Sequence, residues 1–182
     1  MITVRPYFLV LFNAIRFTIQ KLRTKDFKVQ AVEMFGWNTK LRMGKQSEVS
    51  FGEKIVSDGR MVIIVDNSGK LTIGSHVYFN EDAMISCKGQ IEIGSGCRFG
   101  PNVKIFDNNH RFDAVNGVTD QHKAGSIFIG ENCWIGANVV ILKDTIIGKN
   151  SVIGAGCVVS GEIPEKSIVT QGRELVIQSM RE

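Results

Sequence analysis

One histidine stands where a long polar insertion leaves an otherwise regular sequence, and its position suits proton transfer. His110 lies three residues after Asp107, near the start of the polar, glycine-containing segment 107–125. A histidine can act as a general base near neutral pH, and a nearby carboxylate can fix its tautomer. Long loops on a rigid scaffold are commonly functional. The segment therefore predicts a catalytic His110 with Asp107 as its orienting partner.

The scaffold around this insertion is a strict six-residue repeat, or hexad. Neither a 3.6-residue helix nor an alternating strand produces that period, whereas a β-helix built from hexapeptides does. Glycine commonly follows the aliphatic first residue, and Asn, Asp or Gly occupies the fourth position, which suits tight turns with positive φ. The aliphatic residues of the regular stretch are Ile129, Ile135, Ile141, Ile147, Ile153 and Val159.

The same period is present before the insertion. It appears twice, with a two-residue slip between the two runs. Ile105 and Ile129 are separated by four hexads, so the insertion leaves the phase unchanged. We therefore predict an all-β fold, a parallel β-helix of about six triangular turns with a loop protruding at about 107–125. The upstream repeat residues are Ile73, Phe79, Ile85, Ile93, Phe99 and Ile105.

An amphipathic helix is predicted over residues 7–22. Asn13 and Arg16 interrupt its apolar run well short of the ~20 residues that a membrane span needs, and no signal-peptide cleavage site follows. Two interpretations remain open. The helix caps the open end of the β-helix, or its apolar face, flanked by basic residues, rests on an anionic membrane surface. That face consists of Phe8, Leu11, Phe12, Ile15, Ile19 and Leu22.

Length and composition restrict the remaining possibilities. A chain of 182 residues with 43% hydrophobic content is sufficient for a core, and we divide it into an N-terminal helix (1–26) and a β-helix domain (27–182), with a short helix expected at 174–180. Residues 1–60 carry 11 Lys and Arg against 5 Asp and Glu, but no DNA-binding motif accompanies them, so we expect no nucleic-acid partner. The four cysteines form no CxxC pair, which indicates packed thiols in a reducing compartment.

With these patterns in place, the sequence resembles the left-handed β-helix acyltransferases. Within them it is most similar to the sugar O-acetyltransferases, namely the galactoside and maltose enzymes and those that modify capsule and O-antigen saccharides. The matching stretches run from about residue 71 to 177 and include FGPNVKIFDNNHRFD and IGENCWIGANVVILKDTIIGKNSVIGAGCVVS. The resemblance implies acetyl-CoA as co-substrate, no metal, and a sugar or lipid-linked saccharide as acceptor.

The resemblance also implies an assembly and a setting. Its members form homotrimers with active sites between subunits, and a closed ring buries faces of the prism that are otherwise exposed. The implied setting is surface-polysaccharide synthesis in the cytoplasm. The basic N-terminal helix leaves open a peripheral contact with the inner face of the membrane.

Individual roles follow from the same resemblance. His110 would deprotonate the acceptor hydroxyl for direct attack on the thioester, with no acyl-enzyme, and Asn80, which replaces glycine in its hexad, would help to hold the acceptor. The backbone N–H of Ala137 would face the thioester oxygen. The residues assigned to coenzyme A are Trp134, Ala137, Ala155, Ser160, Lys166 and Arg173.

The sequence departs from the family pattern at the coenzyme end. Gly161 stands where a lysine is usual after VVS, Leu175 replaces a basic residue, and TQGR replaces AGNP. Lys166 or Arg173 are the candidates to substitute for those contacts. A second interpretation therefore stays open, a non-catalytic trimeric scaffold or binding protein.

A different enzyme of the same fold is disfavoured. Zinc carbonic anhydrases of the β-helix type need three histidines across a subunit interface. This chain has three, His76, His110 and His122. The spacing of twelve between the last two does not match the close pair of that family, so the sequence predicts no zinc site.

Overall fold

The computed structural model describes residues 5–24, 26–29 and 34–172. Within these ranges one helix precedes a series of short parallel strands, which an antiparallel hairpin interrupts once. The expected helix at 174–180 and the candidate Arg173 lie outside the described residues. The elements are α1 (Arg5–Arg23), β1 (Phe27–Val29), β2 (Lys40–Met43), β3 (Glu48–Phe51), β4 (Val56–Ser57), β5 (Met61–Val65), β6 (Lys70–Ile73), β7 (Tyr78–Phe79), β8 (Ala83–Cys87), β9 (Gln90–Ile93), β10 (Arg98–Phe99), β11 (Lys104–Phe106), β12 (Asn108–Asp113), β13 (Gly117–Ala124), β14 (Ser126–Ile129), β15 (Trp134–Ile135), β16 (Val140–Ile147), β17 (Val152–Ile153), β18 (Val158–Ile163) and β19 (Ile168–Val169).

The parallel strands wind into a prism with three faces. Face 1 contains β1, β3, β6, β9 and β14, face 2 contains β4, β7, β10, β15, β17 and β19, and face 3 contains β2, β5, β8 and β11. The long strands β16 and β18 run from face 3 onto face 1. Each coil visits faces 1, 2 and 3 in turn, and the edges between them are named edge 1–2, edge 2–3 and edge 3–1. The fold is the left-handed parallel β-helix that the repeat predicted.

The aliphatic residues of the repeat fill the inside of the prism. Those between 129 and 159 are at most 6% exposed. The insertion leaves the phase intact, because Ile93 pairs with Ile129 on face 1 and Ile105 pairs with Ile141 on face 3. Each such side chain contributes roughly 1.5–3 kcal/mol by its burial. The predicted repeat, its phase and its core are therefore confirmed.

The turns between faces have the expected left-handed backbone. Asn132, Asn138, Asp144 and Asn150, the fourth residues of their hexads, have φ between 56° and 62°. Asn and Asp tolerate this region better than other residues with a side chain, which explains their recurrence at the edges.

Helix α1 covers the N-terminal end of the prism. Phe17 packs against Phe27, Phe35 and Phe51 with ring centroids 5.6, 5.7 and 6.2 Å away. The Nδ2 of Asn13 donates to the Phe35 carbonyl at 2.8 Å. The helix is therefore a cap, as one of the two interpretations held, but it caps with Asn13 and Phe17. The apolar face picked out by the sequence points away from the prism.

No helix within the described ranges combines the length and the hydropathy needed to cross a bilayer.

Candidate active site

The insertion at 107–125 is an ordered hairpin that projects from edge 3–1. Strands β12 and β13 pair antiparallel, and the carboxylate of Asp113 accepts the N–H groups of Val115 and Asn116 in the turn between them. The prediction of a protruding loop is thus refined to a β-hairpin. Its pairing brings His110 directly opposite His122.

Asp107 anchors the base of this hairpin. Its side chain is fully buried, and its carboxylate accepts the backbone N–H groups of Lys88 and Gly89 at 2.8 and 2.9 Å and the Nδ2 of Asn108 at 3.0 Å. Its carbonyl also accepts the N–H of Gly125, where the hairpin returns to the prism. The structure therefore gives Asp107 a different role from the predicted one, because its carboxylate is occupied by these groups and not by His110.

A backbone carbonyl orients His110 instead. The Nδ1 of His110 lies 3.1 Å from the carbonyl oxygen of Thr119 across the hairpin. A carbonyl can only accept, so the bond places the imidazole proton on Nδ1 and leaves the lone pair on Nε2. The ring is exposed. This tautomer is the one that a general base acting through Nε2 requires.

His122 is the residue that the sequence did not connect with this site. Its ring lies 4.1 Å from that of His110, between centroids, and its Nδ1 is buried without a hydrogen-bond partner among the described residues. Desolvation lowers the pKa of His122 from its ordinary value, and the nearby positive charge of Lys88 lowers it further. The asparagine- and glycine-containing turn at 113–117 was the signal that could have paired the two histidines.

Most of the other candidates lie on face 2 and edge 2–3. Trp134 is in register with Arg98 and Val152 on face 2, and its indole is 58% exposed. Ala137 and Ala155 occupy equivalent positions on edge 2–3, one coil apart. The predicted group of Trp134, Ala137 and Ala155 therefore shares one side of the prism.

The backbone N–H of Ala137 is available to a ligand. At the same hexad position elsewhere, the N–H of Ser75 donates to the Oγ of Ser95 in the next coil at 3.1 Å. Ala137 stacks instead on Ala155, which has no side-chain oxygen. Within the described part of the chain its N–H has no acceptor, while the N–H groups on either side, of residues 136 and 138, are both bonded. The arrangement fits a donor aimed at a developing negative charge.

Asn80 is also on edge 2–3, where its Oδ1 accepts the N–H of Glu81 at 2.7 Å. A pocket of about 800 Å³ opens beside it toward the N-terminus, with Leu9 of α1 in its wall. Its polar lining includes an ion pair between the Nε of Arg60 and the Oδ1 of Asp82 at 2.7 Å. The other lining residues with a polar or aromatic side chain are Trp37, Asn38, Ser57, Asp58 and Glu81.

A single chain does not bring all the candidates together. His110 projects from edge 3–1 and Asn80 from edge 2–3, and the five-residue strand β8 separates these edges by about 17 Å at ~3.3 Å per residue. Ser160 lies within β18, where that strand passes edge 3–1. Lys166 lies on edge 1–2 with its Nζ 3.5 Å from a carboxylate oxygen of Glu165. Among the described residues, no three His, Cys, Asp or Glu side chains are grouped as a metal site.

The repeat itself has a known counterpart. Residues 126–161 match the family model described as bacterial transferase hexapeptide (six repeats). Over these residues the chain carries the hexapeptide repeat of that family. The predicted resemblance to hexapeptide-repeat acyltransferases is confirmed at the level of the repeat and the fold.

The chain is similar in sequence to several proteins whose names describe them as putative or probable acetyltransferases. A putative acetyltransferase of Saccharomyces cerevisiae, YJL218W, is 34% identical over 117 residues, which are 64% of this chain and 60% of that protein. Nodulation protein L of Rhizobium meliloti is 32% identical over 99 residues, 54% of each protein. The chain thus spans little more than half the length of the relatives it matches.

Solved structures share its fold. A hexapeptide-repeat acetyltransferase of Vibrio cholerae, VCA0836, in complex with acetyl coenzyme A, aligns with a TM-score of 0.56 and 21% identity over 86% of this chain and 71% of that one. A maltose O-acetyltransferase of Clostridium difficile aligns with a TM-score of 0.52 and 24% identity, covering 84% and 68%. At these identities the similarity establishes the β-helix.

Proposed function

We propose that this protein is an O-acetyltransferase that moves an acetyl group from acetyl-CoA to a sugar hydroxyl. The observation that carries the proposal is the tautomer of His110, which the Thr119 carbonyl fixes with Nε2 free on a hairpin that projects from a hexapeptide β-helix. Structural neighbours in complex with acetyl-CoA or coenzyme A support the choice of donor. The proposed setting is the cytoplasm, in synthesis of a surface polysaccharide.

The residues of the chain support a direct transfer. Nε2 of His110 takes the proton of the acceptor hydroxyl as the oxygen attacks the thioester carbonyl. The N–H of Ala137 donates to the oxyanion that forms on that carbonyl. The C–S bond then breaks, and His110 returns the proton to the departing thiolate, so the base is regenerated without an acyl-enzyme. Acetyl-CoA supplies the activated acyl group.

The distance between the two edges supports a site shared by subunits. Because His110 and Asn80 project from different edges of one prism, a common site requires His110 from one chain and Asn80, with Trp134 and Ala137, from its neighbour. A closed three-fold ring provides three such sites with one kind of interface. We therefore propose a homotrimer.

The pocket on edge 2–3 supports a saccharide as acceptor. The indole of Trp37 offers an aromatic surface for the apolar face of a sugar ring, and Asp58 and Glu81 offer carboxylates to its hydroxyl groups. Among the fold neighbours, an N-acyltransferase of Bacillus cereus, AntD, is described in complex with dTDP-4-amino-4,6-dideoxyglucose and coenzyme A. A sugar or lipid-linked saccharide is therefore the acceptor class we propose.

The decisive experiment compares two histidine substitutions in an assay of acetyl transfer from acetyl-CoA to a saccharide panel. His110→Asn should lower kcat by about 10²–10⁴-fold, the usual contribution of a general base. His76→Asn is the matched control, because His76 is exposed in a turn at φ 60° where Asn is equally well tolerated. Equal rates for both variants would remove His110 from the mechanism.

A second function is favoured by one observation. Gly161, where a lysine is usual, is exposed with φ 79° and offers no side chain to phosphate or pantetheine. If the coenzyme site is lost, the protein is a trimeric scaffold or binding protein. Calorimetric titration with acetyl-CoA separates the two functions. Binding at roughly micromolar to sub-millimolar concentration supports the transferase, and no binding at millimolar concentration supports the scaffold.

A further inference from the structure

Helix α1 has two faces with opposite surroundings. One face, with Asn13 and Phe17, is buried against the end of the prism. The other is apolar and open to solvent over the whole length of the helix, from Tyr7, which is 70% exposed, to Leu22, which is 84% exposed. The exposed apolar side chains are Tyr7, Phe8, Leu11, Phe12, Ile15, Ile19 and Leu22. A contiguous patch of this kind on an ordered element marks an interaction surface.

The charge on α1 indicates which partner this surface suits. The helix contains four basic residues and no Asp or Glu. The basic residues are Arg5, Arg16, Lys21 and Arg23. Arg16 lies one helical turn after Phe12, with its guanidinium 5.9 Å from the ring of Phe17, and Lys21 is exposed on the last turn. An apolar face with basic margins is the pattern of a helix that lies in an anionic membrane interface.

A second copy of α1 fits this surface less well. Two such helices packed face to face would bring their basic margins together with no acidic residue of either helix to compensate. An anionic lipid surface neutralises the same charges, and each Lys or Arg near it contributes about 1 kcal/mol to the free energy of binding. At 19 residues α1 is about 28 Å long, enough to lie along the headgroup region.

The exposed face is also continuous with the proposed acceptor pocket. The ring of Phe12 lies 4.7 Å from that of Trp37, between centroids, and Trp37 and Leu9 both line the pocket. A bilayer against the apolar face therefore lies beside the mouth of the pocket.

We propose that the apolar face of α1 docks this protein on an anionic lipid surface, with the helix axis in the plane of the membrane. The docking holds the N-terminal end of the prism, and the pocket on edge 2–3, at the level of the headgroups. The inference does not depend on the transfer reaction, because neither the donor nor the acceptor takes part in the docking.

The experiment is co-flotation of the full chain with vesicles, without acetyl-CoA or saccharide. We expect flotation with phosphatidylglycerol mixed into phosphatidylcholine, weakening as salt is raised, and much less with phosphatidylcholine alone. Flotation with neither composition overturns the proposal, and so does equal binding to both.

Matched variants show which surface binds. Ile15→Ser with Ile19→Ser should weaken partitioning into the mixed vesicles at least about tenfold. Ile146→Ser with Ile168→Ser removes two exposed isoleucines elsewhere on the prism and should leave partitioning unchanged. Loss of flotation in both double variants, with normal circular dichroism, overturns the assignment to α1. If the wild-type protein binds no vesicles and only the Ile15→Ser, Ile19→Ser variant has a lower mass in solution, the apolar face of α1 is assigned to contact with a second copy of the chain.

Discussion

Edges 2–3 and 3–1 of the prism are built from the same repeat but differ in structure, because in the described part of the chain only edge 3–1 carries a projecting hairpin. On edge 2–3 the turns stack so closely that a Cβ added at Gly136 would lie 2.6 Å from the backbone nitrogen of Ala155. On edge 3–1 the chain leaves the stack in one coil, where the buried Asp107 holds the two ends of a projecting hairpin. The first edge fixes backbone N–H groups, and the second carries the exposed His110 away from the prism. Comparison of the two indicates that the rigid repeat fixes the positions of backbone groups and that its interruption holds an exposed titratable side chain.

The largest effect is expected when the substitution on edge 3–1 and the substitution on edge 2–3 are placed on different chains. His110→Asn and Asn80→Ala chains should each lose activity, the first by about 10²–10⁴-fold and the second by about tenfold or more. Co-expressed, they should form mixed trimers with about a quarter of the wild-type rate, well above the mean of the parents, because some sites receive both intact residues. A rate at the parental mean would place both residues of a site in one chain.

The anchor of edge 3–1 can be tested by its stability. Asp107→Ala removes a fully buried carboxylate and leaves the part-buried N–H groups of Lys88 and Gly89 without their acceptor, so it should lower the free energy of unfolding by about 3 kcal/mol, measured in urea. Asp113→Ala is the control within the same hairpin. Its carboxylate also accepts two N–H groups but is exposed, so water can replace it and the loss should be smaller. Equal losses would show that burial at the hairpin base is unimportant.

Two glycine substitutions compare the packing of edge 2–3 with that of the hairpin that projects from edge 3–1. Gly136→Ala forces apart backbones on edge 2–3 and should cost about 3 kcal/mol. Gly117→Ala meets no atom within 4 Å in the hairpin turn, so only its φ of 66° opposes the change, at about 1 kcal/mol. Thermal unfolding of both variants provides the measurement. A larger cost at Gly117 would contradict the contrast between a stacked edge and a projecting hairpin.

The smallest effect concerns the charge of His122 in the hairpin. Its NMR titration midpoint should fall below the ordinary 6.5, and Lys88→Gln should raise it by removing a nearby positive charge. Since the folded hairpin favours the neutral ring, its stability is full above pH 6.5 and decreases as pH falls through the lowered pKa. Lys149→Gln, an exposed change on edge 1–2, should leave the midpoint in place. A midpoint at or above 6.5 would refute the desolvated environment.

The sequence was most informative where structure follows a short period. The hexads predicted the core and its unbroken phase, since a residue that recurs every sixth position must face the axis of the coil. The insertion was less predictable. Spacing alone could not pair His110 with His122, because the register of an antiparallel hairpin depends on where its turn falls. The partner of Asp107 was missed for a related reason, because the N–H groups it binds belong to the preceding coil.

Helix α1 also has one feature that the sequence predicted and one that it could not. Its periodicity revealed an apolar face but not which way that face points, and the structure turns it to solvent while Asn13 and Phe17 cover the prism. By itself, then, the sequence determined the coil, its core and the place where the chain leaves it, because these depend on local period. Only the tertiary structure decided that the Thr119 carbonyl meets His110, that the N–H of Ala137 has no acceptor among the described residues and that edges 2–3 and 3–1 are widely separated. The first depends on the register of the hairpin and the other two on the stacking of the turns, and neither follows from a local period.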